Sequence, residues 1–510
     1  MKFSIAVVLC LALTATALGQ NKITKTCKPC ESFKTLDLPD VVINKTESYL
    51  KDTIKATQFR PEIIINKPFC RLQGIIGKEI AFELYLPQNW NGRFLMSGNG
   101  GFAGAFQNFL LPYISSGYAV AATNTGHVDN NDGAAWAYNN MERQVNFGHL
   151  AVHRTTVVSK ALIRAAYCAP ASYSYFLGCS RGGGQALMEA QRYPDDYDGI
   201  VAGAPAYNWP AIAAKGIETL QKNYPDSKKL NPVITNDNLK LVQEFVCKEC
   251  DLADGLNDCI LNEPNNCKID LGKLPVCPGD SAGKDCVTKA QLTALKTIFD
   301  PLTIDGKLVH PGFPHGIEAE PTGIDLWIAG TSPYLKPSLW HYFATNIYKY
   351  LIYSDPKWDY QTYHFDDFFT KTAFASSFLD ATNTDYSAFE KSKGKLILYH
   401  GWNDPALSAY ATIAHYDEAL KKNADLQSFM RLFLLPGVLH CDGGPGADDV
   451  DYVKLITDWV EKGNAPERVI FSKKEKGKTV MTRPVYPYPK VAVYDGKGDP
   501  KMESSFGLKK

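Results

Sequence analysis

Short apolar runs alternate with segments of helical spacing in two stretches of the chain, 93–202 and 395–435. Six of these runs have the length and composition of buried strands; they cover residues 93–97, 118–123, 173–177, 199–202, 395–399 and 431–435. Helical spacing occurs between or after them, at residues 148–167, 184–192 and 410–422. Strands that alternate with helices predict a fold of the α/β class, with a parallel sheet covered on both faces.

The stretch 206–390 interrupts this alternation. It carries six of the cysteines, many prolines and Asn-Asp turns, and scattered aromatic residues. We predict that it is an inserted domain, and that residues 20–205 and 391–510 form the main domain. A chain of 510 residues is long enough for this division.

The charge balance excludes one class of partner. The chain has 54 basic and 54 acidic residues and therefore no formal net charge, whereas a nucleic-acid-binding protein needs a basic surface. Hydrophobic residues make up 45% of the chain and aromatic residues 12%. This composition supports a large core and excludes a disordered chain.

The N-terminus predicts export. A basic start, Met1-Lys2, precedes an apolar run at 5–13 and the small residues that end at Gly19. This is the pattern of a secretory signal peptide, residues 1–19, and its apolar run is too short for a membrane anchor. Removing it takes away Cys10 and leaves 12 cysteines. An even number in a secreted, extracellular chain predicts up to six disulfides.

A serine in a glycine-rich turn is the first candidate for chemistry. Residues 178–182 read Gly-Cys-Ser-Arg-Gly and fit the pattern G-x-S-x-G. In this pattern a sharp strand-to-helix turn exposes the serine hydroxyl, and glycines flank it because side chains would not fit. The pattern also arises by chance in glycine-rich turns. Because a predicted strand precedes it and a predicted helix follows, we predict that Ser180 is a nucleophile.

A nucleophilic serine needs a base and an orienting acid, which follow such a turn in the order acid, then histidine. His440 comes after the run 431–435 and begins a flexible turn, where a catalytic histidine belongs. His415 lies inside a predicted helix and is expected to be a surface or packing residue. His440 is therefore the predicted base.

Asp404 is the predicted acid because it follows the run 395–399. Asp442 is a rival, but it adjoins His440 in sequence and is expected to be a solvated turn residue. His400 ends a predicted strand and is expected to be a buried, hydrogen-bonded histidine. An oxyanion also requires two backbone N–H donors. One would be that of Arg181, and the other that of Gly100 or Gly101, in the glycine-rich loop after residues 93–97.

Two cysteines border these predicted catalytic residues. Cys179 precedes Ser180, and Cys441 follows His440. A disulfide between them would tie nucleophile to base across a long sequence separation.

At this point the chain resembles the tannase and feruloyl esterase family, which also contains the mono(2-hydroxyethyl) terephthalate hydrolases. The resemblance covers nearly the whole mature chain and is carried by Gly178-Cys179-Ser180 with Gly182-Gly183, by residues 188–205 and 394–405, and by His440-Cys441. It implies an α/β-hydrolase fold with a lid domain inserted at 206–390. It also implies a serine esterase mechanism with Ser180, Asp404 and His440 as the triad.

The predicted lid contains an acidic loop at residues 250–260, Cys-Asp-Leu-Ala-Asp-Gly-Leu-Asn-Asp-Cys-Ile. Its three aspartates could converge with backbone carbonyls on a hard cation, although such loops also form for turn geometry alone. The family has a calcium loop of this pattern. The resemblance implies side-chain ligands at Asp251, Asp254 and Asp258 and carbonyl ligands at Leu256 and Ile260. The family usually has glycine where this chain has Cys259.

The resemblance implies three further disulfides, Cys30–Cys70, Cys250–Cys267 and Cys277–Cys286. A C-terminal disulfide common in the family is missing, because Tyr486 and Leu508 occupy its places. We hypothesise that the four remaining cysteines pair as Cys27–Cys168 and Cys247–Cys259.

The sequence therefore predicts a secreted serine esterase that acts on small-molecule esters of hydroxycinnamic or gallic acid, with a structural Ca²⁺ in the lid. An esterase of acetyl, aryl or terephthalate preference is one alternative, and a catalytically silent protein that binds calcium and polyphenols is another. Four lid aromatics are candidates for stacking on the acyl ring or for the lid core: Trp327, Tyr334, Trp340 and Tyr342.

Overall fold

A computed structural model of the chain describes residues 26–55, 62–107 and 109–509. The predicted signal peptide, residues 1–19, lies outside these ranges. Within them, no helix is both long enough and apolar enough to cross a bilayer.

A nine-stranded sheet forms the centre of the molecule. Its strands are β1 (Val41–Tyr49), β2 (Phe69–Ile76), β3 (Ile80–Pro87), β4 (Arg93–Ser97), β5 (Ala119–Thr123), β6 (Tyr173–Cys179), β7 (Gly199–Gly203), β8 (Lys395–Gly401) and β9 (Met430–Leu435). Four antiparallel two-stranded ribbons lie outside it: Asp52–Ile54 with Ile63–Ile65, Leu302–Ile304 with Lys307–His310, Val469–Glu475 with Lys478–Val485, and Ala492–Tyr494 with Phe506–Leu508.

The described residues form eleven α-helices: α1 (Met141–Val145), α2 (Ala151–Tyr167), α3 (Arg181–Arg192), α4 (Trp209–Asn223), α5 (Asn236–Cys250), α6 (Lys289–Phe299), α7 (Leu339–Asn346), α8 (Phe368–Leu379), α9 (Ser387–Lys391), α10 (Ala409–Lys422) and α11 (Tyr452–Lys462). Short π-helical segments adjoin α2 and α7, at Asn146–Leu150 and Ile347–Ile352, and another lies apart from the α-helices at Asp325–Ala329.

The spatial order of the sheet is β1-β2-β3-β5-β4-β6-β7-β8-β9. The strands from β5 to β9 in this order run parallel, whereas β1, β2, β3 and β5 pair antiparallel. The predicted α/β-hydrolase fold is confirmed. The six predicted strands form a parallel sheet, as expected. The three strands that precede them in the chain were not predicted, and they add an antiparallel edge.

These three strands escaped the sequence analysis because they are not continuous apolar runs. Buried and half-buried positions alternate along β2, which is typical of an antiparallel strand. The buried Glu83 interrupts β3, where it accepts hydrogen bonds from Gln73 Nε2 at 2.6 Å and from the Tyr85 hydroxyl at 2.9 Å. A charged residue at a core position hides a strand from a search for apolar runs.

Both faces of the sheet are covered, as predicted. Alternate residues of the parallel strands, such as Phe176 and Leu398, belong to a core shared with α2, α3 and α10. Their neighbours, such as Tyr175 and Ile397, belong to a second core that α11 covers. This alternation follows from the two-residue period of a strand.

Residues 206–390 add no strand to the nine-stranded sheet. They carry helices α4 to α8, and they form one core around α5 and α6 and another around α4 and α7. The chain leaves the sheet and returns to it close to the two ends of this segment, since β7 ends at Gly203 and β8 begins at Lys395. The domain boundaries at 205 and 391 stay a prediction.

Six disulfides join the 12 cysteines of the described chain: Cys27–Cys168, Cys30–Cys70, Cys179–Cys441, Cys247–Cys259, Cys250–Cys267 and Cys277–Cys286. All six predicted pairings are confirmed, including the two that rested on elimination. Cys259 has a φ of +61°, in the left-handed region that favours glycine. This explains why glycine suits that position.

Candidate active site

Ser180 occupies a sharp turn between β6 and α3. Its φ of +63° and ψ of −121° are strained for a residue with a side chain. The turn is held by its backbone, because the Ser180 N–H donates to Gly203 O at 3.0 Å. The flanking glycines are required by space: a Cβ on Gly178 would lie 2.7 Å from the backbone of Gly182. The predicted strand–turn–helix setting of Ser180 is present.

The structure brings Asp404 and His440 together. His440 Nδ1 lies 2.8 Å from Asp404 Oδ2, which fixes the Nδ1–H tautomer and leaves Nε2 available as an acceptor. The carboxylate itself is held by the backbone, because Oδ1 accepts the N–H groups of Ala406 at 2.8 Å and Leu407 at 2.9 Å. Asp404 follows β8 and His440 follows β9, as the sequence predicted.

The environment keeps Asp404 ionised. Burial by itself would raise the pKa of this carboxyl, but His440 and His400 stabilise its charge and lower the pKa below the ordinary value. His400 Nε2 lies 3.3 Å from Asp404 Oδ2 and 3.0 Å from Leu407 O. His400 is thus the buried, hydrogen-bonded histidine that the sequence suggested.

The rival candidates lie in other surroundings. His415 is buried in α10, and its Nε2 contacts the Tyr386 hydroxyl at 2.8 Å, which makes it a packing residue. Asp442 is an exposed residue of the turn after His440. Among the described residues, neither His415 nor Asp442 forms a hydrogen bond with Ser180.

A covalent bond joins the two ends of the site. Cys179 and Cys441 form a disulfide across 262 residues of sequence, with their Cα atoms 5.9 Å apart. Cys441 has a φ of +67°, so both Ser180 and the residue after His440 have unusual backbone conformations. The disulfide restrains the loop of His440 relative to the turn of Ser180.

The predicted oxyanion donors lie beside Ser180. Arg181 is the first residue of α3, so its N–H has no partner within the helix. Gly101 lines the same cavity as Ser180, Arg181 and His440, whereas Gly100 is not among the lining residues. Of the two candidate glycines, Gly101 is therefore the better placed.

A cavity opens in front of Ser180 and His440, and its walls are mainly apolar. Two helical segments of the insertion supply half of the lining residues. Each presents residues at the spacing i, i+3, i+4 and i+7, which is one helical face. From α4 these residues are Trp209, Ile212, Ala213 and Gly216, and from α7 and the segment after it they are Trp340, Phe343, Ala344 and Ile347.

Two of the four predicted aromatics line the cavity, Trp327 and Trp340. The Trp327 ring meets the His440 imidazole edge to face, with 4.9 Å between ring centroids. Tyr342 contacts the Phe102 ring from outside the cavity, and Tyr334 is 76% exposed. The sequence analysis missed Phe343 and Trp209, although the periodicity of their helices was a signal that could have revealed them.

The acidic loop of the insertion has its aspartates turned inward toward their own backbone. Asp251 Oδ1 accepts the Cys259 N–H at 2.7 Å, Asp254 accepts those of Leu256 at 3.1 Å and Asn262 at 3.2 Å, and Asp258 accepts that of Ile260 at 3.1 Å.

The charge of this loop fits a cation. Burial is the main cause that raises the pKa of Asp251 and lifts that of Asp254 to about 6, and the neighbouring aspartates add to both shifts. The nearest cationic side chain is Arg483, whose Nη2 stands 3.9 Å from Asp258 Oδ2. Within the described ranges, the carbonyls of Leu256 and Ile260 accept no hydrogen bond. The donor set is therefore all oxygen, as Ca²⁺ prefers.

A second group of ligand-type side chains lies beneath α2 and α3. One ligand atom each from His153, Glu189 and Asp196 lies within 4.8 Å of the others. His153 Nδ1 already bonds Asp196 Oδ2 at 2.7 Å, and Lys160 Nζ donates to Asp196 O. Burial and the Asp196 charge raise the pKa of Glu189 well above its ordinary value. The hydrogen bonds of Asp196 to His153 and Lys160 account for the positions of these side chains.

Known proteins are similar to this chain in sequence and in fold. The tannase and feruloyl esterase family matches residues 69–508. A probable feruloyl esterase B of Aspergillus niger is 33% identical, over 82% of this chain and 81% of that protein. The crystal structure of feruloyl esterase B from Aspergillus oryzae is similar with a TM-score of 0.84 and 27% identity, over 94% of this chain and 99% of that one. The chain belongs to the tannase and feruloyl esterase family.

Proposed function

We propose that this protein is a carboxylic ester hydrolase that cleaves esters of aromatic acids, of the hydroxycinnamic or gallic type. The observation that carries the proposal is the constellation around one cavity, in which Ser180 lies on a strained turn and His440 is bonded to Asp404. The names of the relatives support the same chemistry, since they are feruloyl esterases.

In the proposed mechanism, His440 Nε2 takes the proton of Ser180 Oγ as that oxygen attacks the ester carbonyl. Asp404 orients the imidazole and stabilises its charged form. The N–H groups of Arg181 and of Gly101 (or Gly100) hold the oxyanion. His440 then protonates the leaving alcohol, and water hydrolyses the acyl-enzyme.

The cavity supports an aromatic acyl group. Its aromatic walls, Trp209, Trp327, Trp340 and Phe343, offer stacking and edge-to-face contacts to a planar ring. An acetyl group would leave most of this apolar surface without contact.

A panel of esters tests the substrate class: methyl ferulate, methyl gallate and 4-nitrophenyl acetate. We expect kcat/KM to be highest for one of the two aromatic-acid esters. Turnover of the acetyl ester alone would support an esterase of different acyl preference. Turnover of none, with retained binding of the free phenolic acids, would support the silent binding protein.

We also propose that the protein is secreted and that residues 206–390 act as its lid. Six disulfides support export, because such bonds persist in oxidising compartments. The cavity walls support the lid, since α4 and α7 belong to this segment. Expression of the full chain in a secretory host tests export. Mature protein in the medium that begins at Gln20 is the expected result, and retention of residues 1–19 would contradict it.

We further propose a structural Ca²⁺ on the acidic loop, held by the side chains of Asp251, Asp254 and Asp258 and the carbonyls of Leu256 and Ile260. The oxygen donor set supports it, and so do the raised pKa values of Asp251 and Asp254, because a bound cation would stabilise carboxylates that burial disfavours. Calorimetric titration of chelator-treated protein is expected to show one Ca²⁺ per chain and no comparable heat for Mg²⁺. Asp254→Asn should abolish binding, whereas Asp285→Asn, in an exposed part of the insertion, should not.

A further inference from the structure

The side chain of Arg181 is a buried cation beside the nucleophile. The residue is only 1% exposed and begins α3 directly after Ser180. Its Nε and Nη1 atoms have no hydrogen-bond partner among the described residues. A buried charge without a directly bonded carboxylate destabilises the fold. The contacts of the Arg181 guanidinium indicate what it contributes in return.

One side of the guanidinium is fixed to the segment before α2. Nη2 donates to the carbonyl oxygen of Phe147, and also to that of Gly148 at 2.8 Å. The Phe147 ring lies against the guanidinium, with 4.4 Å from the guanidinium carbon to the ring centroid. These contacts tie the start of α3 to the π-helical segment Asn146–Leu150.

The other side faces Trp209, the first residue of α4. The guanidinium carbon is 5.5 Å from the centroid of the Trp209 ring. The Trp209 indole nitrogen is buried without a hydrogen-bond partner in the described chain. Arg181 thus places a charged group over this ring, and the aromatic rings of Phe102 and Phe147 also pack against it, with 6.1 Å and 5.6 Å between ring centroids.

Asp380 acts on Arg181 through its charge, although burial raises the pKa of Asp380 itself to about 7. Its Oδ1 accepts the backbone N–H of Trp209 at 2.9 Å. Burial lowers the pKa of Arg181 to about 9, and Asp380 opposes that shift. Trp209 is therefore held at its backbone by the carboxylate and at its ring by the guanidinium, which remains charged at neutral pH.

We propose that Arg181 is a positioning residue that fixes the Trp209 wall of the cavity relative to Ser180, and that it thereby sets the preference for aromatic over small acyl groups. The inference rests on the proposed esterase function. Trp209 and Arg181 both line the cavity, and an aromatic acyl group contacts the wall that they form. An acetyl group is too small to depend on that wall.

Substrate discrimination by three variants tests this role. Arg181→Met removes the charge and keeps most of the volume, and Arg181→Lys keeps the charge. Arg192→Met is the matched control, because Arg192 lies on the same helix, is exposed, and donates to Ser377 O of the insertion at 2.6 Å. Each is assayed for kcat and KM with methyl ferulate and with 4-nitrophenyl acetate.

For Arg181→Met we expect kcat/KM for methyl ferulate to fall at least about tenfold more than for the acetyl ester, mainly through KM. Arg181→Lys should recover part of this loss, since an ammonium also interacts with an aromatic face. Arg192→Met should match the wild type. Equal losses on both esters, or no loss on either, would overturn the proposal.

Thermal unfolding of each variant shows whether it has folded. If Arg181→Met does not fold, Asp380→Asn replaces it, and the ratio between the two esters is expected to shift in the same direction; an unchanged ratio would overturn the proposal. The wild type separates this inference from the proposed function. A wild type that cleaves none of methyl ferulate, methyl gallate and 4-nitrophenyl acetate refutes the function, whereas an active wild type with unaffected variants refutes only the role of Arg181.

Discussion

The disulfide Cys179–Cys441 offers a quantitative test, because it closes by far the longest loop in the described chain. We consider the double variant Cys179→Ser/Cys441→Ser, which removes the cross-link without leaving a free thiol. The two cysteines are 262 residues apart. In the chain-entropy model, a loop of that length is worth about 5.5 kcal/mol of stability at 25 °C.

The Cys277–Cys286 disulfide provides the matched control. It closes a separation of only nine residues in the insertion, for which the same model gives about 2.5 kcal/mol. Equilibrium unfolding in urea, followed by tryptophan fluorescence, measures both losses. We expect the double variant at 179 and 441 to lose about twice as much free energy of unfolding as the control.

The two variants should differ still more in activity. Ser180 and Cys441 have positive φ values, and such strained conformations persist only when the surroundings hold them. Without the disulfide, His440 can move relative to Ser180, and a displacement near 1 Å can cost a factor of about 100 in rate. The control should keep its kcat. A double variant that is no less stable than the control, or that keeps wild-type kcat, would refute this reasoning.

Three further predictions follow from single positions. Asp404→Asn should lower kcat by about 10⁴ with little change in Tm, because the amide cannot favour the Nδ1–H tautomer of His440; wild-type kcat would contradict the proposed acid. Gly183→Ala should destabilise the fold by more than about 2 kcal/mol, since a Cβ there would lie 2.1 Å from Gly203 O; an unchanged midpoint of urea unfolding would contradict the tight turn. With Ca²⁺ removed by a chelator, Tm should fall as pH rises from about 4 to about 6. Burial raises the pKa of Asp254 in the folded protein to about 6, so the folded protein loses this proton at a higher pH than the unfolded chain does. Ca²⁺ should reverse that fall and Asp254→Asn should abolish it, while a slope unchanged in the variant would exclude Asp254 as its source.

The local sequence predicts the parallel half of the fold and its turns well. Continuous apolar runs mark β4 to β9, and the glycines at 178 and 182 mark a turn whose backbone leaves no room for side chains. The α3 helix begins at Arg181, three residues before the expected start at residue 184, although glycine has low helix propensity. Packing against β6 and β7 outweighs that propensity.

The cavity wall could be predicted only in part. Local spacing would have identified the faces of α4 and α7, but not that these two faces meet. Their approach depends on Gly216, where an added Cβ would lie 2.8 Å from the Cβ of Ala344. The inward direction of the Arg181 side chain was also out of reach, because a charged residue next to a catalytic serine gives no local signal for burial. Such contacts arise from chain segments that are distant in sequence.

The central claim is that Ser180 is the nucleophile of a serine esterase. Titration with a phosphonofluoridate ester, which phosphonylates an activated serine, tests it directly when combined with peptide mass mapping. We predict that esterase activity disappears as one equivalent is incorporated, and that the adduct lies on the peptide containing Ser180. Loss of activity with the adduct on another residue, or full hydrolysis by Ser180→Ala, would contradict the claim.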